Sequence, residues 1–379
     1  MVRVEKAEET TELHHHPISV AMAVNRNLVA VVGLFLAFTL FSLPAEISGE
    51  QTLLFTFGDS SYDVGNKKFF SSEFDPAAAW PYGDSVDDPT GRWSDGLIVP
   101  DFVGKMIGIG EPVPPVLDPK ADLSRGASFA IAGATARGVP SDTMSFPQQV
   151  SKFMELKGRW TDKQRAEALY MFYVGADDYL KFAKENPSAS QADRYVCIAS
   201  VLTKISSSLY DLHKKGGARK IAVQNLPPLG CLPIVRQEFK TGEECLEILN
   251  FMASVHNERL KRLLGQITIP LRNLRYSLLD FHSEILRRIN DPSRHGYTDT
   301  TTSCCGIGPR NAFGCGYSNV HSNLCSYQRS FLFYDGRHNT EKTNREIADL
   351  FYSGDKNVVV PRNIRDLMRE PATDLLQES

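Results

Sequence analysis

Three stretches of this chain place reactive side chains directly after apolar runs. Ser60 follows Gly58 and Asp59 at the end of LLFTF, residues 53–57. Asp177 and Asp178 follow LYMFYV, residues 169–174, and SFLFYD, residues 330–335, leads from Asp335 to His338. A serine hydroxyl is a poor nucleophile until an adjacent base takes its proton, and His338 is the candidate base. Asp335, three residues earlier, is suited to hold that imidazole in one tautomer and to stabilise its protonated form. Taken only as residue types, each member also has an ordinary structural reading. A serine after a strand caps a turn, and a single histidine fills a surface or core position.

The elements that must bring these residues together alternate along the chain. Buried strands are expected at 53–57, 169–174, 220–226 (KIAVQNL), 276–281 (YSLLDF) and 330–335. Helical patterns occupy 97–107, 147–157, 190–214, 245–264 and 341–352. The best of them carries Leu246, Leu249, Ala253, His256 and Leu260 on one face, with Glu258 and Arg262 spaced as an i,i+4 pair. Such alternation implies an α/β domain, a parallel sheet with helices on both faces. Ligands of such sheets bind beyond the carboxyl ends of the strands, where Ser60, Asp177, Asp335 and His338 would collect. Segments 72–96, 108–124 and 291–329 are rich in Pro, Gly and Asp and read as long loops. The expected organisation is a leader and signal peptide over 1–49, one domain over 50–362 and a loosely attached polar tail over 363–379.

At this point the motifs become recognisable. FTFGDSSYDVGN (55–66) resembles the first block of the plant GDSL esterase/lipase family, a branch of the SGNH hydrolases. TGRWSDG (90–96), GASFAIAGA (126–134), VGADDY (174–179), NLPPLGCLP (225–233), the Cys304-Cys305-Gly306 stretch and YDGRHNTE (334–341) resemble further blocks in the same order. The resemblance implies a flavodoxin-like three-layer αβα sandwich, the SGNH hydrolase fold. It implies Ser60 as nucleophile, His338 as general base and Asp335 as its orienting acid. The implied oxyanion hole uses the backbone N–H groups of Ser60 and Gly133 and a side chain at position 177. There the family has Asn and this chain has Asp177, which cannot donate a hydrogen bond when ionised. Three expectations follow: Asp177 is protonated through burial beside Asp178, or two backbone donors run a slow enzyme, or catalysis is lost and a binding role kept. Ser61 in place of the family's leucine and Asn339 in place of a proline are lesser departures.

The implied activity is hydrolysis of a lipid, acetylated-polysaccharide or phenolic ester through an acyl-serine, with acyl transfer to an alcohol or a non-catalytic binding role as alternatives. The partner is then a small-molecule or polymer ester, with no cofactor and no metal. Charge fits that reading: residues 51–379 hold 39 basic and 39 acidic side chains, with no basic excess of the kind nucleic-acid binders show. Residues 28–43 form an uncharged apolar run reaching roughly 24 Å, short of a ~30 Å hydrocarbon core. Arg26 precedes it, and Pro44, Ala45, Ser48 and Gly49 follow, the layout of a signal peptide. Met22 offers an alternative start. Secretion to the apoplast is therefore expected, without stable membrane insertion after cleavage; a signal anchor and a vacuolar destination are the alternatives. All seven cysteines lie after this run, which favours disulfides and leaves an odd thiol. A zinc site built from Cys304, Cys305, Cys315, His321 and Cys325 is the weaker alternative.

Other candidates carry less. The stretch near 106–112 lacks the glycine order of a dinucleotide site, and the histidines at 14–16 lie upstream of the apolar run. His213, His256, His282 and His295 read as structural. Arg92 and Trp93 are expected to brace a loop, and Asp59 and Asn66 to shape the turn after the first strand.

Overall fold

The computed structural model describes residues 51–138 and 142–372; the leader, the apolar run at 28–43 and the residues from 373 onward lie outside the described residues. The central sheet has six strands, β1 (Leu54–Gly58), β2 (Gly126–Ser128), β3 (Leu169–Tyr173), β4 (Lys220–Gln224), β5 (Arg275–Leu279) and β10 (Val359–Val360). Their spatial order is β2-β1-β3-β4-β5-β10, all parallel except β10, which runs antiparallel to β5. Every residue of β1, β3 and β4 is buried. Burial on both faces is why these strands read as continuous apolar runs, without alternation.

Two groups of helices supply that cover. Phe146–Leu156, Gln191–Lys214, Glu247–Ile267 and Ala176–Glu185 pack on one another, and Val99–Met106, Glu341–Ser353 and Ile364–Arg369 form the second group. Local chemistry marks their starts. Ser190 and Asp193 cap the longest helix reciprocally, each side chain accepting the other's backbone N–H. The Asp101 carboxylate likewise accepts the N–H of Ile98 at the start of Val99–Met106. Between the layers, Phe55, Phe57, Phe129, Phe153 and Phe172 form a ring-on-ring cluster.

Two expectations need correction. The segment around 330–335 is not a strand of the central sheet. Its β9 (Phe331–Phe333) pairs in parallel with β6 (Asp299–Ser303) in a separate two-stranded sheet, and the fifth parallel strand is the three-residue β2. The chain from Asn363 is also not loose as far as it is described: Asn363 caps the helix Ile364–Arg369, whose Ile364 and Leu367 are fully buried. The expected loop 291–329 holds β6, β7 (Cys305–Gly306) and β8 (Asn323–Leu324). Disulfides Cys304–Cys325 and Cys305–Cys315 cross-link that region, and Cys231–Cys245 closes a third loop. These cysteines form bridges and not a zinc cluster; Cys197 is the free, buried thiol.

Candidate active site

The strand order reverses direction at β1, with β2 on one side and β3 on the other, so the carboxyl ends of β1 and β3 flank a switch point. Ser60 follows β1 and Asp177 follows β3 there. Gly58 closes the strand at φ +144°, and a Cβ on it would lie 2.0 Å from the carbonyl oxygen of Tyr173. Only glycine lets the chain leave the sheet so close to its neighbour. Gln149, reaching from the helix Phe146–Leu156, pins this point by accepting from the N–H of Gly58 at 2.9 Å and donating to its carbonyl at 2.8 Å. The turn that follows is held by Asp63, whose carboxylate accepts N–H groups of Gly65, Asn66, Lys67 and Ala132. Asn66 does more than shape the local turn: it donates to the carbonyls of Ser128 and Ala130 and accepts from Leu117. The loops after β1 and β2 are thereby fastened together.

His338 and Asp335 arrive on the loop after β9. The Ser60 hydroxyl lies 2.7 Å from His338 Nε2. On the other side of the ring, Nδ1 lies 2.7 and 2.8 Å from the two oxygens of Asp335. Three further donors address that carboxylate: the backbone N–H groups of Arg337 and His338, each at 2.8 Å, and the Tyr82 hydroxyl at 2.7 Å. Burial alone would push the Asp335 carboxyl up, but His338 and these hydrogen bonds hold it below the usual carboxylate range. An ionised Asp335 keeps the proton on Nδ1 and leaves Nε2 free to accept from Ser60. Trp93 stands against the imidazole at 5.1 Å between ring centres. Arg92 braces the same loop through a two-pronged ion pair with Asp101, at 2.8 and 2.9 Å.

Ser60, Gly133, Asp177 and His338 all line one open cleft of about 340 Å³, to which Ile234 and Phe313 contribute apolar surface. Gly133 sits at φ +81°. Among the described residues, neither its N–H nor that of Ser60 donates to another protein group. Asp177 is held by the Arg337 guanidinium, with 3.0 Å between Asp177 Oδ1 and Arg337 Nη1. Its neighbour Asp178 turns to the N–H groups of Ala136 and Arg137, and burial pushes its carboxyl up to about 6. Ser61 lines a different, small cavity with Tyr62 and Tyr173.

Sequence reasoning missed Tyr82, Asp63 and Gln149, whose contacts span loops far apart in the chain. It also left Arg337 unassigned, although its position inside the Asp335–His338 segment was a usable signal. Two of the histidines set aside serve structure: His256 bonds the Tyr179 hydroxyl at 2.7 Å, and His213 bonds the carbonyl of Arg272. Burial brings His256 down to about 3, so its ring is a neutral core member. Among the described residues no group of His, Cys, Asp and Glu is arranged to hold a metal ion, and no helix is long and apolar enough to cross a membrane.

Comparison with known proteins gives a consistent result. A family model described as GDSL-like Lipase/Acylhydrolase matches residues 54–351. The chain is 68% identical over 361 residues to a GDSL esterase/lipase of Arabidopsis thaliana, across 94% of this chain and 99% of that one. It is 46% identical over 368 residues to the GDSL esterase/lipase ESM1 of the same plant, across 94% of both chains. A third Arabidopsis thaliana protein, named inactive GDSL esterase/lipase-like protein 23, is 44% identical over 366 residues, across 94% of this chain and 95% of that one.

Proposed function

From its membership of the GDSL lipase/acylhydrolase family, in which this chain stands by the match over residues 54–351, we propose that it is a serine ester hydrolase working through an acyl-serine at Ser60. The observation that carries this reading is the 2.7 Å contact between Ser60 Oγ and His338 Nε2, with Nδ1 of the same ring on Asp335. Ser60 Oγ attacks the ester carbonyl carbon while its proton passes to Nε2. The resulting oxyanion is met by the N–H groups of Ser60 and Gly133. Nε2 then returns the proton to the departing alkoxide, leaving the acyl group on Ser60. Water attacks the acyl-serine with the same base, releasing the acid and restoring the hydroxyl. An alcohol in place of water makes the same intermediate an acyl transferase.

The substrates proposed are lipid, acetylated-polysaccharide or phenolic esters. An open cleft lined by Ile234 and Phe313 as well as by charged residues suits a group with both apolar and polar parts. Secretion is proposed from the apolar run at 28–43, and three disulfides support an oxidising compartment. A second reading, a binding protein without turnover, draws on Asp177 facing the cleft and on the relative named inactive.

The two readings separate by assay. Hydrolysis of p-nitrophenyl acetate and butyrate, from about pH 4.5 to 8, should fall to background in Ser60→Ala. A fluorophosphonate probe should label the unaltered chain and not that variant, because labelling needs a serine with a working base. Equal rates for both proteins, or no labelling at any pH, would leave the binding reading.

A further inference from the structure

We propose that Arg337 is a catalytic residue, supplying a side-chain donor and positive charge to the oxyanion, with Asp177 as the residue that positions it. The inference rests on the hydrolase reading above and deepens it. The cleft that holds Ser60 is lined by three carboxylates, Asp335, Asp177 and Glu238. Negative charge developing on a substrate oxygen there needs a counterweight. The side chains able to give one are few. No amide side chain lines the cleft, the Tyr82 hydroxyl is spent on Asp335, the Trp93 Nε1–H and the Tyr317 hydroxyl carry no charge, and Lys184 lies 3.5 Å from Glu238. Arg337 remains.

Its placement suits the task at both ends. The backbone N–H of Arg337 donates to Asp335 at 2.8 Å, which ties its main chain to the residue that orients His338. Its guanidinium reaches Asp177 at 3.0 Å, and both residues line the cleft together with Ser60 and Gly133. A guanidinium carries five N–H donors. Among the described residues the bond to Asp177 is the one hydrogen bond its side chain makes, so most of those donors are unspent. The side chain is 43% exposed in the open cleft, and an ester seated over Ser60 would cover it. Arg337 and Asp177 also line an adjoining cavity of about 240 Å³ that shares Gly133 and Ile234 with the first. The pair thus borders both cavities. Fixed in advance by two anchors, the donor needs little rearrangement as charge develops, the condition under which such donors accelerate acyl transfer. Asp177 then cancels no catalysis: its charge is matched by the cation it holds.

The test uses full-length protein with p-nitrophenyl butyrate, comparing Ser60→Ala, Arg337→Met, Arg337→Lys, Asp177→Asn and the double variant Asp177→Asn/Arg337→Met. Arg337→Met is expected to lower kcat by about 10²-fold with KM nearly unchanged, and to slow phosphonylation of Ser60 to a similar degree. Arg337→Lys should recover part of the loss, since an ammonium keeps the charge without the planar fork. The double variant places an amide donor where Asp177 stood and should regain about tenfold over Arg337→Met. Thermal melts identify any variant that fails to fold, and Arg337→Lys then carries the comparison. Turnover that depends on Ser60 but is indifferent to Arg337, or a change confined to KM, would overturn this role while leaving the hydrolase reading intact. Turnover indifferent to Ser60 would overturn both.

Discussion

Two aspartates face the same cleft and live under opposite regimes. The Asp335 side chain is 7% exposed and accepts from the His338 ring, two backbone N–H groups and the Tyr82 hydroxyl. The Asp177 side chain is 18% exposed and has one partner, the guanidinium of Arg337. Enclosure with several donors makes a carboxylate a rigid electrostatic reference, whereas a single cation at a more open wall leaves it dependent on one partner. Arg337 serves both, through its backbone on one side and its head group on the other. The difference shows that residue type says little about what a carboxylate does in this cleft; its enclosure and the number of its donors decide.

Identical substitutions at the two positions are the most direct way to break that contrast. Asp335→Asn should lower kcat for p-nitrophenyl butyrate by about 10⁴, because an amide cannot hold the imidazole in its working tautomer. Asp177→Asn should change kcat by less than about tenfold, since the amide oxygen still accepts from Arg337 and only the charge of one part-exposed contact is lost. Equal losses would mean that enclosure does not separate the two residues. Tyr82→Phe sharpens the point by deleting one donor to Asp335. It should cost about tenfold in kcat/KM, the scale of one hydrogen bond to a buried charge. Stability should respond with a definite sign. The Asp335 carboxyl is depressed in the folded chain, so its contribution is present above the unfolded value and lost as pH falls through the folded one. Thermal melts of Tyr82→Phe should therefore differ most from the unaltered chain near neutrality and converge in acid.

What the sequence made legible follows the same division between local and distant determinants. Strands β1, β3, β4 and β5 were readable because runs such as LYMFYV and KIAVQ are apolar on both faces, as buried parallel strands must be. The three residues of β2, Gly-Ala-Ser, carry no periodicity at all, and SFLFYD took its place in the reading because its own burial has the same signature. The helix Phe281–Asn290 was hidden by its start, where Phe281 reads as the end of the preceding strand. Of the site, Ser60, Asp335 and His338 were visible as types placed after apolar runs. Their mutual distances were not, and neither was the Asp177–Arg337 pair, whose members are 160 positions apart. Tyr82 reaches Asp335 across 253 positions from a loop without a pattern of its own. Contacts of that span arise from the packing of loops, which periodicity does not encode.

Asp59 supplies a third carboxyl against which the contrast is refined. It adjoins Ser60, is fully buried, and has one oxygen on the N–H of Ser61 and the other with no partner. Burial first, then the charges of Asp177 and Asp178, hold it well above the usual carboxylate range. A raised folded value means stability that is present below the unfolded value, near 3.8, and lost as pH rises through the folded one. Asp59→Asn keeps the acceptor for Ser61 and removes the titration. The melting temperature of the variant should gain on the unaltered chain as pH rises from about 5 to 8, by on the order of 2 °C. Tyr62 and Tyr173, which also face this carboxyl, stay neutral across that range, their hydroxyls being pushed up by burial. A parallel pH dependence in both proteins would show that Asp59 is ionised in the folded chain after all. Donor number would then fail as the quantity that sorts the carboxylates around Ser60.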